Sequence, residues 1–184
     1  MKDLLLVLFT THLHARLTMH RKLQVLLVED DRKDAELIQQ YLSADENILY
    51  EIEPAETLEA AMKSLRGHQP DLIMLDLNLP DAAGLTAVER IYAAGFDLPI
   101  VVVTGYPDSR LELEALHAGV QDYVEKTIEN YTLLPRILRF AVERHQMLTA
   151  LQDSEQRYRM LSEISSDYMF AARVEPDGQK IGRA

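Results

Sequence analysis

The stretch DLIMLDLNLPDAAGL, which spans residues 71–85, decides the fold. Residues 72–75 are all apolar, and such an unbroken run is typical of a short strand covered on both faces of a sheet. Asp76 follows at once, although a carboxylate at the end of a buried run is costly unless a nearby group needs its charge. The stretch therefore predicts a buried strand that places a functional aspartate at its carboxyl end.

The rest of the sequence alternates short apolar runs with helical patterns. Because this alternation is typical of a parallel sheet with helices on both faces, it predicts an α/β fold built on a doubly wound five-stranded parallel sheet. The predicted strands are 23–28, 49–53, 72–76, 99–104 and 120–126. The predicted helices are 33–42, 57–65, the segment between Gly84 and Gly95, and 108–117.

A final helix is predicted to begin near Thr132, with Pro135 in its first turn, where the missing N–H of proline does no harm. No glycine or proline follows until Pro176, so this helix is predicted to extend well beyond the sheet. Its outer part has Glu155 at one core position and apolar residues at spacings of three, four or seven: Leu148, Leu151, Tyr158, Leu161 and Ile164. This weak coiled-coil pattern leaves open both a homodimer and a single solvated helix.

The chain divides by composition into four parts. Residues 1–20 are predicted to form a loose N-terminal extension, whose apolar run 4–9 is too short for a signal peptide or a membrane anchor. Residues 21–146 are predicted to form the α/β domain, and residues 147–165 a linker helix. The last segment, 166–184, is predicted to begin a further domain, with a strand at YMFAARV and a turn at PDG.

Composition narrows the classes of function. The sequence holds 19 basic and 30 acidic residues, which gives a net charge of −11. Such a chain suits divalent cations and basic partner surfaces, whereas direct nucleic-acid binding is not expected because the phosphate backbone is also negative. The sequence has no cysteine, which excludes disulfides and thiolate catalysis. A cytoplasmic location without membrane association is predicted.

Polar side chains lie at the carboxyl ends of four predicted strands, which is where open parallel sheets bind ligands. Glu29 and Asp30 follow the first strand, Asp76 ends the third, Thr104 the fourth and Lys126 the fifth. Carboxylates that repel one another are stabilised by a hard cation such as Mg²⁺. A metal, a hydroxyl and an ammonium around one further carboxylate suit phosphoryl transfer, in which aspartate can itself be the nucleophile.

Four segments, in order, resemble a response-regulator receiver domain over residues 23–146. They are VLLVEDD (25–31), LIMLDLNLPDAAG (72–84), VVVTG (101–105) and DYVEK (122–126). The resemblance implies a flavodoxin-like strand order, 2-1-3-4-5. The segment after residue 146 is similar to one that joins a receiver to a PAS-like sensory domain, of which only the first part is expected here.

The resemblance also implies a phosphoacceptor and a metal site. Asp76 is expected to take a phosphoryl group from a phosphohistidine on a sensor histidine kinase or a phosphotransfer protein. Mg²⁺ is expected to be held by Glu29, Asp30, Asp76 and the backbone carbonyl of Asn78. No enzymatic activity is expected beyond self-phosphorylation and autodephosphorylation at Asp76.

Three further residues complete the expected site. Thr104 and Lys126 are expected to bind the phosphoryl oxygens, and Tyr123 is expected to act as an aromatic switch that turns inward as Thr104 moves. The sequence departs from the family pattern at Thr127, where these domains usually have proline. The loop after Lys126 is therefore expected to differ from that of its relatives.

Two other functions are weighed against this one. An aspartate-nucleophile phosphohydrolase would also use a strand-end Asp, a Thr, a Lys and Mg²⁺. Sequences that resemble this class of enzyme, however, have a second acid two residues after the nucleophile. This sequence has Asn78 at that position. The second alternative is a receiver-like scaffold that works without phosphorylation, and the intact set of acids with Thr104 and Lys126 argues against it.

Overall fold

The computed structural model describes residues 21–106 and 108–174, with side chains up to residue 161. The predicted extension at 1–20 and the predicted turn at 176–178 therefore lie outside the described residues. Twelve elements follow one another along the chain: β1 Arg21–Val28, α1 Arg32–Ser43, β2 Ile48–Ala55, α2 Leu58–Gly67, β3 Leu72–Leu75, β4 Asn78–Leu79, β5 Ala82–Ala83, α3 Thr86–Ala93, β6 Ile100–Thr104, α4 Ser109–His117, β7 Asp122–Glu125 and α5 Ile128–Val174.

The five long strands form one parallel sheet in the order β2-β1-β3-β6-β7. Counting these strands along the chain, the order is 2-1-3-4-5, which confirms the predicted flavodoxin-like fold. The two shortest strands, β4 and β5, form a separate antiparallel hairpin directly after β3. The sequence did not predict this hairpin, because a two-residue strand leaves no detectable periodicity.

Two apolar layers cover the sheet, one on each face. Alternate residues of β1 divide between them, since neighbouring side chains of a strand point to opposite faces. Leu26 packs in the layer with helices α2, α3 and α4, whereas Leu27 packs in the layer with α1 and α5. The four residues of β3 are all fully buried, which explains the unbroken apolar run in the sequence.

The final helix begins at Ile128 and not near Thr132, so the predicted start was wrong. The Thr127 hydroxyl accepts a hydrogen bond from the Asn130 N–H at 3.2 Å, and its carbonyl accepts one from the Tyr131 N–H at 2.9 Å. A hydroxyl that caps an amide three residues ahead is a favoured helix start. Pro135 consequently lies inside the helix and not in its first turn.

The same helix continues to Val174, so the strand predicted at residues 168–174 was also wrong. The physical reason is helix propagation, because each added residue gains a backbone hydrogen bond and no glycine or proline interrupts the chain. Two compact units are present, one ending at His145 and the other beginning at Gln146. A PAS-like domain is not seen in the described residues. None of the described helices is both long and apolar enough to cross a membrane.

Candidate functional site

Three carboxylates meet at the carboxyl ends of the adjacent strands β1 and β3. Their register pairs Val28 with Leu75, so the residues that follow each strand lie side by side. Glu29, Asp30 and Asp76 each present an oxygen within 4.8 Å of the others. Glu29 and Asp76 are buried, with 4% and 5% of their surface exposed, while Asp30 is exposed. The sequence-based prediction of an acidic cluster is met by this geometry.

The ammonium of Lys126 contacts this cluster from the far side of β6. Its Nζ lies 2.8 Å from Oδ2 of Asp76, 2.8 Å from Oε2 of Glu29 and 2.8 Å from Oδ2 of Asp34. The backbone N–H of Lys126 donates to the Thr104 carbonyl at 2.8 Å, which extends the pairing of β6 and β7 by one residue. The side chain is 9% exposed, so these ion pairs are largely shielded from solvent.

Burial and neighbouring charges compete at the site, and the pKa values of Glu29 and Lys126 are both raised. Burial raises the pKa of Glu29 to about 7, and the neighbouring Asp76 charge adds to the effect, although Lys126 opposes it. Burial by itself would lower the pKa of Lys126, but hydrogen bonds to Asp34, Asp76 and Glu29 raise it above its usual range. The ammonium is therefore held firmly in its charged form.

Asp34 is a site residue that the sequence analysis missed. It lies in the first turn of α1, where the N-cap Asp31 accepts hydrogen bonds from the N–H groups of Lys33 and Asp34. Its contact with Lys126 joins residues 92 positions apart in sequence. The signal available in the sequence was its place in the first turn of the helix that follows β1, since that turn begins at the carboxyl edge of the sheet.

The hydroxyl and aromatic residues of the predicted site lie along β6 and β7. Thr104 is buried, and its hydroxyl accepts a hydrogen bond from the Tyr106 N–H at 3.3 Å. A Cβ atom on Gly105 would lie 3.9 Å from Cδ of Lys126, so this turn runs beside the lysine stem. Tyr123 is half-buried, and its hydroxyl donates to the Tyr106 carbonyl at 3.5 Å, which is a weak hydrogen bond. Burial raises the pKa of its phenol.

The hairpin after β3 shapes the remaining side of the site. Asn78 begins β4, and its N–H donates to Oδ1 of Asp76 at 3.2 Å, which places its backbone next to the acidic cluster. Asp81, in the turn of the hairpin, caps helix α2 by accepting hydrogen bonds from the N–H groups of Leu58 and Glu59, both at 2.9 Å. Sequence reasoning did not assign any role to Asp81.

The donor set at this edge of the sheet fits a divalent cation. Carboxylate oxygens are the hard ligands that Mg²⁺ prefers, and it commonly binds through only a few protein oxygens while retaining waters. Glu29, Asp30 and Asp76 offer three such groups, and Asp30 is open to solvent. No cysteine occurs in the chain, so softer thiolate sites are excluded.

A family model described as the response regulator receiver domain matches residues 25–138. This chain belongs to that family. The receiver domain is similar to the KDP operon transcriptional regulatory protein KdpE of Escherichia coli K12, with 34% identity over 128 residues, which are 68% of this chain and 54% of the relative. The chain thus spans about half the length of the curated relatives it matches.

Many solved structures resemble the receiver domain, among them those of the response regulators Rcp1 and RcpA. The Mn²⁺-bound form of response regulator Rcp1 is 27% identical with a TM-score of 0.57, over 66% of this chain and 95% of that one. The phosphorylated cyanobacterial phytochrome response regulator RcpA is 28% identical with a TM-score of 0.54, over 64% of this chain and 89% of that one. The first of these proteins was solved with Mn²⁺ bound, and the second in a phosphorylated state.

Proposed function

We propose that this receiver domain is the phosphoacceptor of a two-component phosphorelay and that Asp76 takes the phosphoryl group. The donor would be a phosphohistidine on a sensor histidine kinase or on a phosphotransfer protein. The observation that carries the proposal is the 2.8 Å contact between Lys126 Nζ and Asp76 Oδ2 beside the acidic cluster. This contact places a fixed positive charge where the charge of a transferred phosphoryl group would develop.

The transfer is a displacement at phosphorus. A carboxylate oxygen of Asp76 forms the new O–P bond, and the P–N bond of the phosphohistidine breaks with its electron pair returning to the imidazole nitrogen. The product is an acyl phosphate on Asp76 and a free histidine on the donor. Autodephosphorylation is a separate step, in which water attacks the phosphorus and the O–P bond breaks with its electron pair returning to the Asp76 carboxylate, while inorganic phosphate leaves with the two protons of the water. No other enzymatic activity is proposed.

The surrounding residues would hold charged groups in place, and none of their own covalent bonds forms or breaks. Glu29, Asp30, Asp76 and the backbone carbonyl of Asn78 would hold Mg²⁺. When bound, Mg²⁺ supplies positive charge that offsets the phosphoryl oxygens. The ammonium of Lys126 would bind one phosphoryl oxygen.

Two residues would couple the phosphoryl group to the surface of the domain. The Thr104 hydroxyl would exchange its hydrogen bond with the Tyr106 N–H for one to a phosphoryl oxygen. Tyr123 would follow as the aromatic switch, and its weak 3.5 Å hydrogen bond to the Tyr106 carbonyl is the contact it would give up. Tyr123 lies on β7, which packs against α4, so this helix and β7 would form the surface that changes.

Mass measurement of the intact protein tests the assignment of Asp76. Incubated with Mg²⁺ and acetyl phosphate, the wild-type chain is expected to gain one phosphoryl group, and Asp76→Asn is expected to gain none. Asp153→Asn, which removes an exposed carboxylate from α5, is the matched control and is expected to be labelled like the wild type. Equal labelling of Asp76→Asn would overturn the assignment. No labelling of a wild type that binds Mg²⁺ would support the phosphorylation-independent scaffold.

The rival phosphohydrolase is less well supported by the geometry. The position two residues after Asp76 is Asn78, whose side chain is an amide and cannot act as a general acid. Its backbone N–H is already directed to Asp76. Turnover of small phosphoesters beyond a single phosphorylation event would favour the phosphohydrolase.

We also propose that the chain forms a homodimer through the outer part of α5, from Leu148 onward. Leu151 and Tyr158 lie seven residues apart, with Leu148 and Leu161 three residues to either side, and all four are more than half exposed. The side chain of Ile164 lies outside the described residues. An isolated helix is marginal in water, and a seven-residue apolar repeat is the pattern by which two helices of the same sequence cover each other.

The relative KdpE is named a transcriptional regulator, and this chain matches 54% of its length. We propose that the part present in this chain does not itself bind nucleic acid. The support is its charge, since 19 basic residues face 30 acidic ones in the whole sequence. Binding of a random DNA duplex to the full chain at low salt would contradict this proposal.

A further inference from the structure

The ammonium of Lys126 contacts three carboxylates: it donates hydrogen bonds to Asp34 and Asp76 and forms an ion pair with Glu29. Lysine carries three donors and no acceptor, and the three partners are Glu29, Asp34 and Asp76, each at 2.8 Å. Glu29 and Asp76 are part of the acidic cluster that fits a cation, whereas Asp34 contacts the ammonium from helix α1. Unlike Glu29 and Asp76, Asp34 is not part of the acidic cluster.

The backbone of Asp34 is held by the capped first turn of α1. Asp31 caps α1 through the N–H groups of Lys33 and Asp34, and the Asp31 carbonyl accepts the N–H of Ala35 at 3.0 Å. The Asp34 carboxylate therefore projects from a capped first turn, where a negative charge is also favoured by the helix dipole. Its side chain is 35% exposed, against 1% for Glu29 and 6% for Asp76, so it is the solvent-facing partner of the lysine.

We propose that Asp34 is a positioning residue of the phosphoryl-transfer site, which orients the ammonium of Lys126 toward Asp76 and partly neutralises its charge. The inference rests on the proposed function of Asp76. By holding one N–H on the α1 side, Asp34 restricts the direction of the other two. By adding a negative charge in contact with the ammonium, it weakens the attraction of the site for an anionic phosphodonor.

Two substitutions separate orientation from charge. Asp34→Asn keeps an oxygen that accepts the Lys126 N–H but removes the charge, so labelling by dianionic acetyl phosphate is expected to become about three to ten times faster. The less negatively charged donor phosphoramidate should gain less, which raises the ratio of the two labelling rates. Asp34→Ala removes the acceptor as well and is expected to be labelled more slowly than Asp34→Asn.

The ratio of the two donor rates is the decisive readout, because a loss of folding would slow both donors alike. Glu36→Gln is the matched control, since it removes one carboxylate from the same helix at a position paired with Arg32 on the surface. It is expected to leave the ratio close to that of the wild type. A ratio equal to the wild type in Asp34→Asn, with normal thermal unfolding, would overturn the charge part of the inference.

A nuclear magnetic resonance measurement tests orientation without phosphorylation. The ¹⁵N-coupled ammonium signal of Lys126 is expected to be visible in the wild type, because a shielded, hydrogen-bonded ammonium exchanges its protons slowly. It should persist in Asp34→Asn and broaden in Asp34→Ala, and no change in either variant would overturn the positioning role. If the wild type is never labelled but this signal responds as expected, the proposed function of Asp76 fails and the role of Asp34 in holding Lys126 stands.

Discussion

Lys126 Nζ lies 2.8 Å from Asp76 Oδ2, although the two residues are 50 positions apart in sequence. They follow strands β7 and β3, which are not neighbours, because β6 lies between them. The lysine stem crosses the end of β6 beside Gly105, where a side chain would begin 3.9 Å from it. A long, flexible cation is therefore the residue type that can reach Asp76 from this strand.

Replacing the lysine should change metal binding and phosphorylation in opposite directions. Lys126→Met keeps the apolar stem but leaves Glu29, Asp34 and Asp76 without their cation, so we expect tighter Mg²⁺ binding than in the wild type. Labelling by acetyl phosphate should fall at least tenfold, because no ammonium offsets the phosphoryl charge. Isothermal titration and labelling kinetics measure the two effects.

Thermal unfolding provides an independent check on the same variant. Without Mg²⁺, Lys126→Met should lose about 3–5 kcal/mol of unfolding free energy, because the buried carboxylates of Glu29 and Asp76 are left without their cation. Added Mg²⁺ should recover more stability in the variant than it adds to the wild type. Lys63→Met, on the exposed side of α2, is the control. Unchanged labelling of Lys126→Met would remove the lysine from the mechanism.

The cap that Asp81 provides to α2 should be measurable as stability. Its two oxygens accept the N–H groups of Leu58 and Glu59, and losing a side-chain cap costs about 1 kcal/mol. Asp81→Ala is therefore expected to unfold at a lower urea concentration at neutral pH. Glu46→Ala, which removes another exposed carboxylate, should not. Equal midpoints for the two variants would show that the cap contributes nothing.

The same cap should depend on pH with a definite sign. Burial would raise the pKa of Asp81, but the two backbone donors outweigh it, so the folded-state pKa lies below the ordinary value of 3.8. A carboxyl group with a lowered pKa stabilises the fold above its unfolded-state value and loses that stabilisation as pH falls through the folded-state value. The stability difference between wild type and Asp81→Ala should therefore be constant above pH ~5 and shrink in more acidic solution. A difference that grows on acidification would contradict the assignment.

The proposed dimer predicts a specific response to charge on α5. Glutamate at both Leu151 and Tyr158 should prevent association, because four like charges would face one another across the two helices. Glutamate at both Gln152 and Gln156 adds the same charge away from the apolar residues and should leave the dimer intact. Sedimentation of the full chain over a range of concentrations distinguishes the two. A wild-type chain that stays monomeric at high concentration would refute the dimer.

The order of the elements and most of the acidic site could be predicted from the sequence. Each strand of the parallel sheet is buried on both faces, so runs such as residues 72–75 are apolar and easily found, and the residue that ends each run lies at the ligand-binding edge. The start of α5 could not be predicted in this way. It depends on the Thr127 hydroxyl capping the Asn130 N–H, a local hydrogen bond that competes with the signal from Pro135.

The sequence by itself determined which residues end the strands, and through them the fold and the cluster of Glu29, Asp30 and Asp76. Local patterns suffice for this because parallel neighbours bring their carboxyl ends to one edge. Only the tertiary structure decided that Asp34 joins the site and that Asp81 caps α2. Each of these contacts closes a long loop of chain between elements with no shared periodicity, so its existence depends on distances in the folded domain that no sequence spacing encodes.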